Sequence, residues 1–231
     1  MQLETLARLN AARSAGRSVC LVTEIPGGFQ RLVYANERAA GDAVTDDIWA
    51  ACQRALRDDR SQMHEAASGQ QFLQAFNPPL RMLVVGAVHI TQALAPMAQI
   101  AGYEVTVIDP RRAFASDARF PGVAVETDWP DEVLQRLELN HRTAVVTLTH
   151  DPKLDDPALD VALRSDAFYI GSLGSKRTHA ARLERLRRAG FGEDALERIH
   201  GPIGLPLGAK SPAEIAISAM AQITQSLRAS T

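Results

Sequence analysis

Four short polar clusters in this chain each follow an apolar run, and together they hold groups that bind anions and move protons. Gly86-Ala87-Val88-His89 follows Leu83-Val84-Val85. A glycine turn at such a place aims backbone N–H groups at negative charge, and His89 adds a side chain that titrates near neutrality. Asp109-Pro110-Arg111-Arg112 follows Val105-Thr106-Val107-Ile108. A carboxylate so placed binds a ribose hydroxyl, while the arginines offer planar forks for a phosphate. Thr149-His150-Asp151, with Lys153 beyond, closes the run Ala144-Val145-Val146-Thr147-Leu148. Its hydroxyl donates or accepts, its imidazole titrates and its carboxylate orients the imidazole; the same residues also suit a turn or a helix N-cap near Pro157. Gly171-Ser172-Leu173-Gly174-Ser175-Lys176-Arg177 follows Phe168-Tyr169-Ile170. Free N–H groups, hydroxyls and two cations meet there, which suits a phosphate, although Ser175 equally suits a helix cap. The spacing is not that of a Walker A loop. The candidate cofactor-binding residues are Gly86, Ala87, Val88, His89, Asp109, Arg111, Thr149, His150, Asp151, Gly171, Ser172, Gly174, Ser175 and Lys176. None is assigned as catalytic or as a metal ligand.

These clusters need a scaffold that brings strand ends to one rim. From Arg81 onward, short apolar and β-branched runs alternate with helical periods, which implies a parallel sheet covered on both faces. Strands are expected near 82–86, 104–108, 122–125, 143–148 and 167–171, and helices near 89–101, 130–138, 157–165, 176–189, 193–199 and 212–228. The first strand, glycine turn, helix and second strand form a βαβ unit. Val88 and Thr91 stand where a dinucleotide fingerprint has glycines, which argues against an ordinary NAD dehydrogenase. Pro96 predicts a kink or early break in the first crossover helix. Ser211, Pro212 and Glu214 spell a start signal for the last helix. Arg182, Arg185, Arg187 and Arg188 read as a solvated helix face, Phe114 and Arg119-Phe120-Pro121 as a wall, and residues 203–210 as a loop that closes over a ligand or meets a second chain.

The first 76 residues read differently: helix 3–13, a hairpin through Pro26-Gly27-Gly28, a helix capped at Thr45 and a second hairpin around Ser68-Gly69. The expected organisation is thus a small α+β unit (1–76), a stiff linker at 77–80 around Asn77-Pro78-Pro79, and a Rossmann-like α/β domain (81–231) with a mostly parallel sheet and helices on both faces. A net charge of -2 gives no reason to expect nucleic acid or a membrane as partner. Cys20 and Cys52 lack zinc-site spacing and are too few for a secreted disulfide framework. They read as buried small residues, and with no leader or spanning segment in view a cytoplasmic setting is expected.

Several ordered runs are similar to the XdhC family of molybdenum hydroxylase accessory factors. They are Val84-Val85-Gly86-Ala87 with His89; Val105-Thr106-Val107-Ile108-Asp109-Pro110-Arg111; Ala118-Arg119-Phe120-Pro121; Leu148-Thr149-His150-Asp151; Asp166 through Ser175; Arg198 through Leu205; and Gly208 through Ala216. The resemblance covers Leu80 to Leu227. It implies a Rossmann-like domain that binds the molybdenum cofactor, a molybdopterin or its cytidine dinucleotide form, shields it during sulfuration by a cysteine desulfurase, and hands it to an apo molybdenum hydroxylase of the xanthine dehydrogenase or carbon monoxide dehydrogenase type. Such a factor is a chaperone more than an enzyme, and a homodimer is the base-rate expectation. Val88 replaces the second glycine of the family's Gly-Ala-Gly-His turn, and the amino-terminal unit lacks a Ser-Gly-Gly-Cys segment. The alternatives are an NAD(P)-dependent oxidoreductase and a nucleotide-sensing regulatory protein.

Overall fold

The computed structural model describes residues 2–116 and 118–229. The chain divides into two compact units, one ending at Pro78 and one beginning at Pro79.

The first unit contains α1 (Leu3–Ser14), β1 (Val19–Glu24), β2 (Gln30–Tyr34), α2 (Asp46–Arg57), β3 (Gln62–Ala66) and β4 (Gly69–Phe76). Its strands pair antiparallel in the order β2-β1-β4-β3. Successive side chains on a strand face opposite ways, and β1 uses both faces. Val19 and Leu21 join Leu9 and Ala12 of α1, whereas Cys20 and Val22 join Ile48, Ala51 and Cys52 of α2. The Thr45 hydroxyl caps α2 by accepting from the Ile48 N–H, and Asp46 and Asp47 face the positive helix end.

The second unit contains β5 (Leu80–Val85), α3 (His89–Ile100), β6 (Tyr103–Ile108), β7 (Ala124–Glu126), α4 (Pro130–Arg136), β8 (Thr143–Thr147), α5 (Pro152–Leu163), β9 (Tyr169–Ser172), α6 (Lys176–Arg188), α7 (Glu193–Leu196), β10 (Ile199–His200) and α8 (Pro212–Ala229). All six strands are parallel, in the order β7-β6-β5-β8-β9-β10. Numbered within the unit this is 3-2-1-4-5-6, the order of a Rossmann sheet, and the order reverses between β5 and β8. Met82 and Val84 pack with α3 and α8 on one face; Leu83 and Val85 pack with α4, α5 and α6 on the other. In α3 the buried positions are Thr91, Leu94, Ala95 and Ala98, the i, i+3, i+4, i+7 stripe of a helix with one face inward. The outer strands are short: β7 has three residues and β10 has two.

Three expectations are corrected. Instead of one helix over 193–199, α7 stops at Leu196, and Ile199-His200 pair with Ile170-Gly171 as a strand. Helix α5 starts at Pro152, not near Pro157, because Asp151 caps it and proline at the first helical position has no N–H to leave unpaired. Helix α3 runs on through Pro96 to Ile100, so the early break, one of the two outcomes expected there, does not occur. The start of α8 is as expected: the Glu214 carboxylate accepts from the N–H groups of Lys210 and Ser211, and the Ser211 hydroxyl accepts from the Glu214 N–H. No helix among the described residues is long and apolar enough to cross a membrane.

Candidate functional site

The strand-order reversal between β5 and β8 sets two loops edge to edge. Gly86 lies at φ +116, and a Cβ there would come within 2.9 Å of Thr149 Cγ2 and 3.3 Å of the Thr149 nitrogen. Glycine therefore serves two needs at once, a left-handed backbone and the close approach of the β8 loop. The Thr91 hydroxyl donates to the Gly86 carbonyl and fixes the turn from the helix side. Val88 is the N-cap of α3 and has no side-chain donor or acceptor, so no cap reaches the first-turn N–H groups of the helix. They remain available to an anion, and the helix dipole adds to their pull. His89 is exposed at the same end.

Ala87 is held at both polar groups by the segment that follows β6. Its N–H donates to Asp109 Oδ2 at 2.8 Å, and its carbonyl accepts from Arg119 Nη1 at 2.9 Å. Asp109 is 0% exposed and accepts three more bonds, all from Arg111: backbone N at 3.0 Å, Nε at 2.9 Å and Nη2 at 2.8 Å. Burial alone would push the Asp109 carboxyl up; the Arg111 guanidinium and the Ala87 and Arg111 N–H groups outweigh it and hold the carboxyl below its usual range. This corrects the expected ribose contact, because both oxygens of Asp109 already accept two donors. It also corrects Arg111 as a free phosphate fork, since Nε and Nη2 are bound to Asp109. The Arg111 guanidinium is held above its usual range, first by Asp109 and to a lesser degree by the Asp151 and Asp155 carboxylates.

At the end of β8, His150 takes φ +63, a left-handed backbone that histidine rarely adopts, and is exposed. Asp151 caps α5 by accepting from the Lys153 N–H at 3.0 Å. The Thr149 hydroxyl donates to Asp155 Oδ1 at 2.6 Å and accepts from the Asp151 N–H at 3.0 Å. Asp155 and Arg182 are each 2% exposed and lie 3.9 Å apart. Burial pushes the Asp155 carboxyl up and the Arg182 guanidinium down, each toward its neutral form. Arg182 Nη2 donates to the Leu173 carbonyl at 2.8 Å, so Thr149, Asp155 and Arg182 tie the β8 loop to the β9 loop. The reading of Arg182 as solvated is corrected: this arginine is buried, whereas Arg187 and Arg188 are exposed and Arg185 is half-buried against Asp156. Nothing in local composition marks it; the one signal in the sequence is an aspartate six residues after Thr149, at the start of α5.

The glycine-rich segment after β9 divides. Gly171 and Ser172 are buried within the sheet, which corrects their assignment to the rim. A Cβ at Gly171 would lie 2.6 Å from Tyr169 Cε1 and 2.8 Å from Ile203 Cδ1, and the Ser172 hydroxyl pairs with the Thr147 hydroxyl across the strands. Gly174 sits at φ +148 against Thr178. Ser175 caps α6 by accepting from the Thr178 N–H at 3.1 Å. Lys176 is exposed at the first helical position and makes no ion pair among the described residues. The loop 203–210 folds onto α8, where Gly204 lies at φ +98, the Leu205 N–H donates to the Ser218 carbonyl and the Leu205 carbonyl accepts from the Ser218 hydroxyl. No group of three or more His, Cys, Asp or Glu side chains placed to hold a metal ion occurs among the described residues.

The loops at the carboxyl ends of β5, β8 and β9 therefore carry Gly86, Ala87, Val88, His89, Thr149, His150, Asp151, Gly174, Ser175 and Lys176, and Asp109, Asp155 and Arg182 are buried among the residues that hold these loops. This geometry has known relatives. Residues 82–223 match the profile of the XdhC Rossmann domain. "Molybdenum cofactor insertion chaperone PaoD" of Escherichia coli K12 is 30% identical over 152 residues, 66% of this chain and 42% of that protein. A probable xanthine dehydrogenase subunit of Bacillus subtilis 168 is 29% identical over 163 residues, 70% of this chain and 47% of that protein. "Uncharacterized protein YqeB" of Escherichia coli K12 is 30% identical over 147 residues, 63% of this chain and 27% of that protein. The chain thus spans less than half the length of these curated relatives. A crystal structure described as a xanthine dehydrogenase from Bacillus halodurans superposes with a TM-score of 0.73 at 24% identity, covering 99% of this chain and 65% of that one, which shows a shared fold. With the family profile spanning well over half of its residues, the chain belongs to the XdhC family through its Rossmann domain.

Proposed function

We propose that the Rossmann unit binds the molybdenum cofactor as cargo and assists its insertion into an apo molybdenum hydroxylase. The observation that carries this reading is the uncapped start of α3 at the strand-order reversal. There a left-handed Gly86, a small Ala87 and an N-cap without a polar side chain leave backbone donors for a phosphate. The cofactor is a pterin with a phosphate tail, and a rim that combines backbone donors with His89 and Lys176 suits a negatively charged guest. The names of two relatives, one a cofactor insertion chaperone and one a xanthine dehydrogenase component, support the same role.

In this reading the N–H groups of His89, Ile90 and Thr91 and the Lys176 ammonium hold the tail, and Thr149, His150 and Asp151 form the facing lip. Asp109 and Arg111 keep the turn in shape. When bound to its recipient enzyme, the cofactor supplies molybdenum-centred hydroxylation chemistry; this chain keeps it ordered until transfer. A cysteine desulfurase that acts on the held cargo, and a cytoplasmic setting, complete the proposal. An NAD(P)-dependent oxidoreductase is disfavoured by Asp109, whose two oxygens each already accept two hydrogen bonds and have no place for a ribose hydroxyl.

The test is co-purification from a host that makes molybdopterin, with the released pterin oxidised to its fluorescent form. Stoichiometric pterin in the wild type and a several-fold loss in Lys176→Ala support the proposal. NADH retention with hydride transfer and no pterin overturns it. His150→Ala is expected to impair activation of a partner hydroxylase while leaving the fold intact.

A further inference from the structure

Asp155 and Arg182 are charged side chains in an apolar seam. Asp155 shares the buried stripe of α5 with Ala158, Leu159 and Ala162, the i, i+3, i+4, i+7 spacing of a helix face turned to a core. On α6 the buried residues are Arg182 and Leu186. Each charge is 2% exposed, and Arg182 Nη2 stops 3.9 Å from Asp155 Oδ2, too far for a hydrogen bond. Asp155 Oδ2 and Arg182 Nε and Nη1 have no protein partner among the described residues. Two apolar side chains of like volume would fill the seam without the cost of taking charges out of water, so stability does not account for the pair. What the two side chains do hold is loops. Asp155 Oδ1 accepts from the Thr149 hydroxyl at 2.6 Å, and Arg182 Nη2 donates to the Leu173 carbonyl at 2.8 Å. Thr149 in turn backs onto Gly86, where a Cβ would meet Thr149 Cγ2 at 2.9 Å. One line of contacts thus runs from the β5 loop through Thr149, Asp155 and Arg182 to the β9 loop.

We propose that Asp155 and Arg182 are positioning residues, which fix the β8 loop relative to the β9 loop so that both act on one guest, and which do this without adding to stability. The inference rests on the cofactor-carrier reading and deepens it, because it names the buried groups on which the grip of that site depends. An apolar pair could pack the seam, but it could not hold a hydroxyl at one end and a carbonyl at the other. Neither residue touches the guest. Each acts through a loop, Asp155 through Thr149 and Arg182 through Leu173.

The experiment compares the full chain with three variants. Arg182→Met leaves a buried carboxylate without its cation, and its melting temperature should fall by about 10 °C. Asp155→Val combined with Arg182→Met makes the seam apolar and should melt within about 3 °C of the wild type or above it. Its co-purified pterin should still fall several-fold. Thr149→Val cuts the line at its β8 end. The Leu173 N–H donates to the Thr147 carbonyl, a bond this variant leaves in place. Its exchange with deuterium should nevertheless quicken about tenfold relative to the amides of β6. A double variant that melts with Arg182→Met or below it overturns the proposal, because the pair would then be a stabilising contact. A stable double variant that keeps wild-type pterin overturns it too, as does a Leu173 exchange rate that Thr149→Val leaves unchanged. Wild-type protein that retains no pterin refutes the carrier reading instead, and the melting and exchange results then still decide whether the pair couples the loops.

Discussion

Replacing Asp109 by alanine tests whether this carboxylate is a structural clamp. The substitution removes four hydrogen bonds at once. The Ala87 N–H is buried and would lose its partner outright, at about 1–3 kcal/mol. The bonds from Arg111 count for less, because its side chain is 38% exposed and water can replace the carboxylate; about 1 kcal/mol in total is a fair discount. The sum is about 3 kcal/mol, which corresponds to a fall in melting temperature of about 6–12 °C in a chain of this size. Urea unfolding followed by circular dichroism would measure it. The pH dependence has a definite sign. Asp109 is held below its usual range, so its contribution is full above the unfolded value of about 3.9 and is lost as pH falls through the native value. The gap between wild type and Asp109→Ala should be flat from neutrality to about pH 4 and should close in stronger acid. A loss under about 1 kcal/mol, or a gap that widens on acidification, would refute the clamp.

Gly86→Ala should destabilise by about 2–4 kcal/mol in the same assay, since the added methyl meets Thr149 at 2.9 Å on a backbone at φ +116. Val88→Ser supplies the cap that α3 lacks. Its stability should change by less than about 1 kcal/mol while pterin retention falls, because the hydroxyl occupies a donor meant for the guest. Ser211→Ala should cost about 1 kcal/mol through the lost cap on Glu214, yet leave pterin retention near wild type. Equal losses of retention in Val88→Ser and Ser211→Ala would show that the start of α3 has no special role.

The parallel sheet was legible because buried strands in such a sheet are continuous apolar runs, and Leu83 to Val85 and Ala144 to Val146 have that form. The last helix was legible because its capping box is local. Features that depend on distant pairing were not. Ile199-His200 is a strand only because β9 lies beside it. Ser172 has the chemistry of a ligand group, but Thr147 takes its hydroxyl. Arg182 sits among arginines that are exposed or half-buried, and only its burial against Asp155 and the Leu173 carbonyl sets it apart. Position in the fold therefore pointed to the loops at the strand ends, whereas which of their residues are exposed and which are buried required coordinates.

The brevity of β7 and β10 bears on how this domain can associate. Three and two residues leave too little unpaired backbone at either margin of the parallel sheet to recruit a strand from another polypeptide. Any polypeptide that binds this sheet's domain is therefore left with side chains on helix surfaces and loops, where recognition can be released without unzipping a ladder.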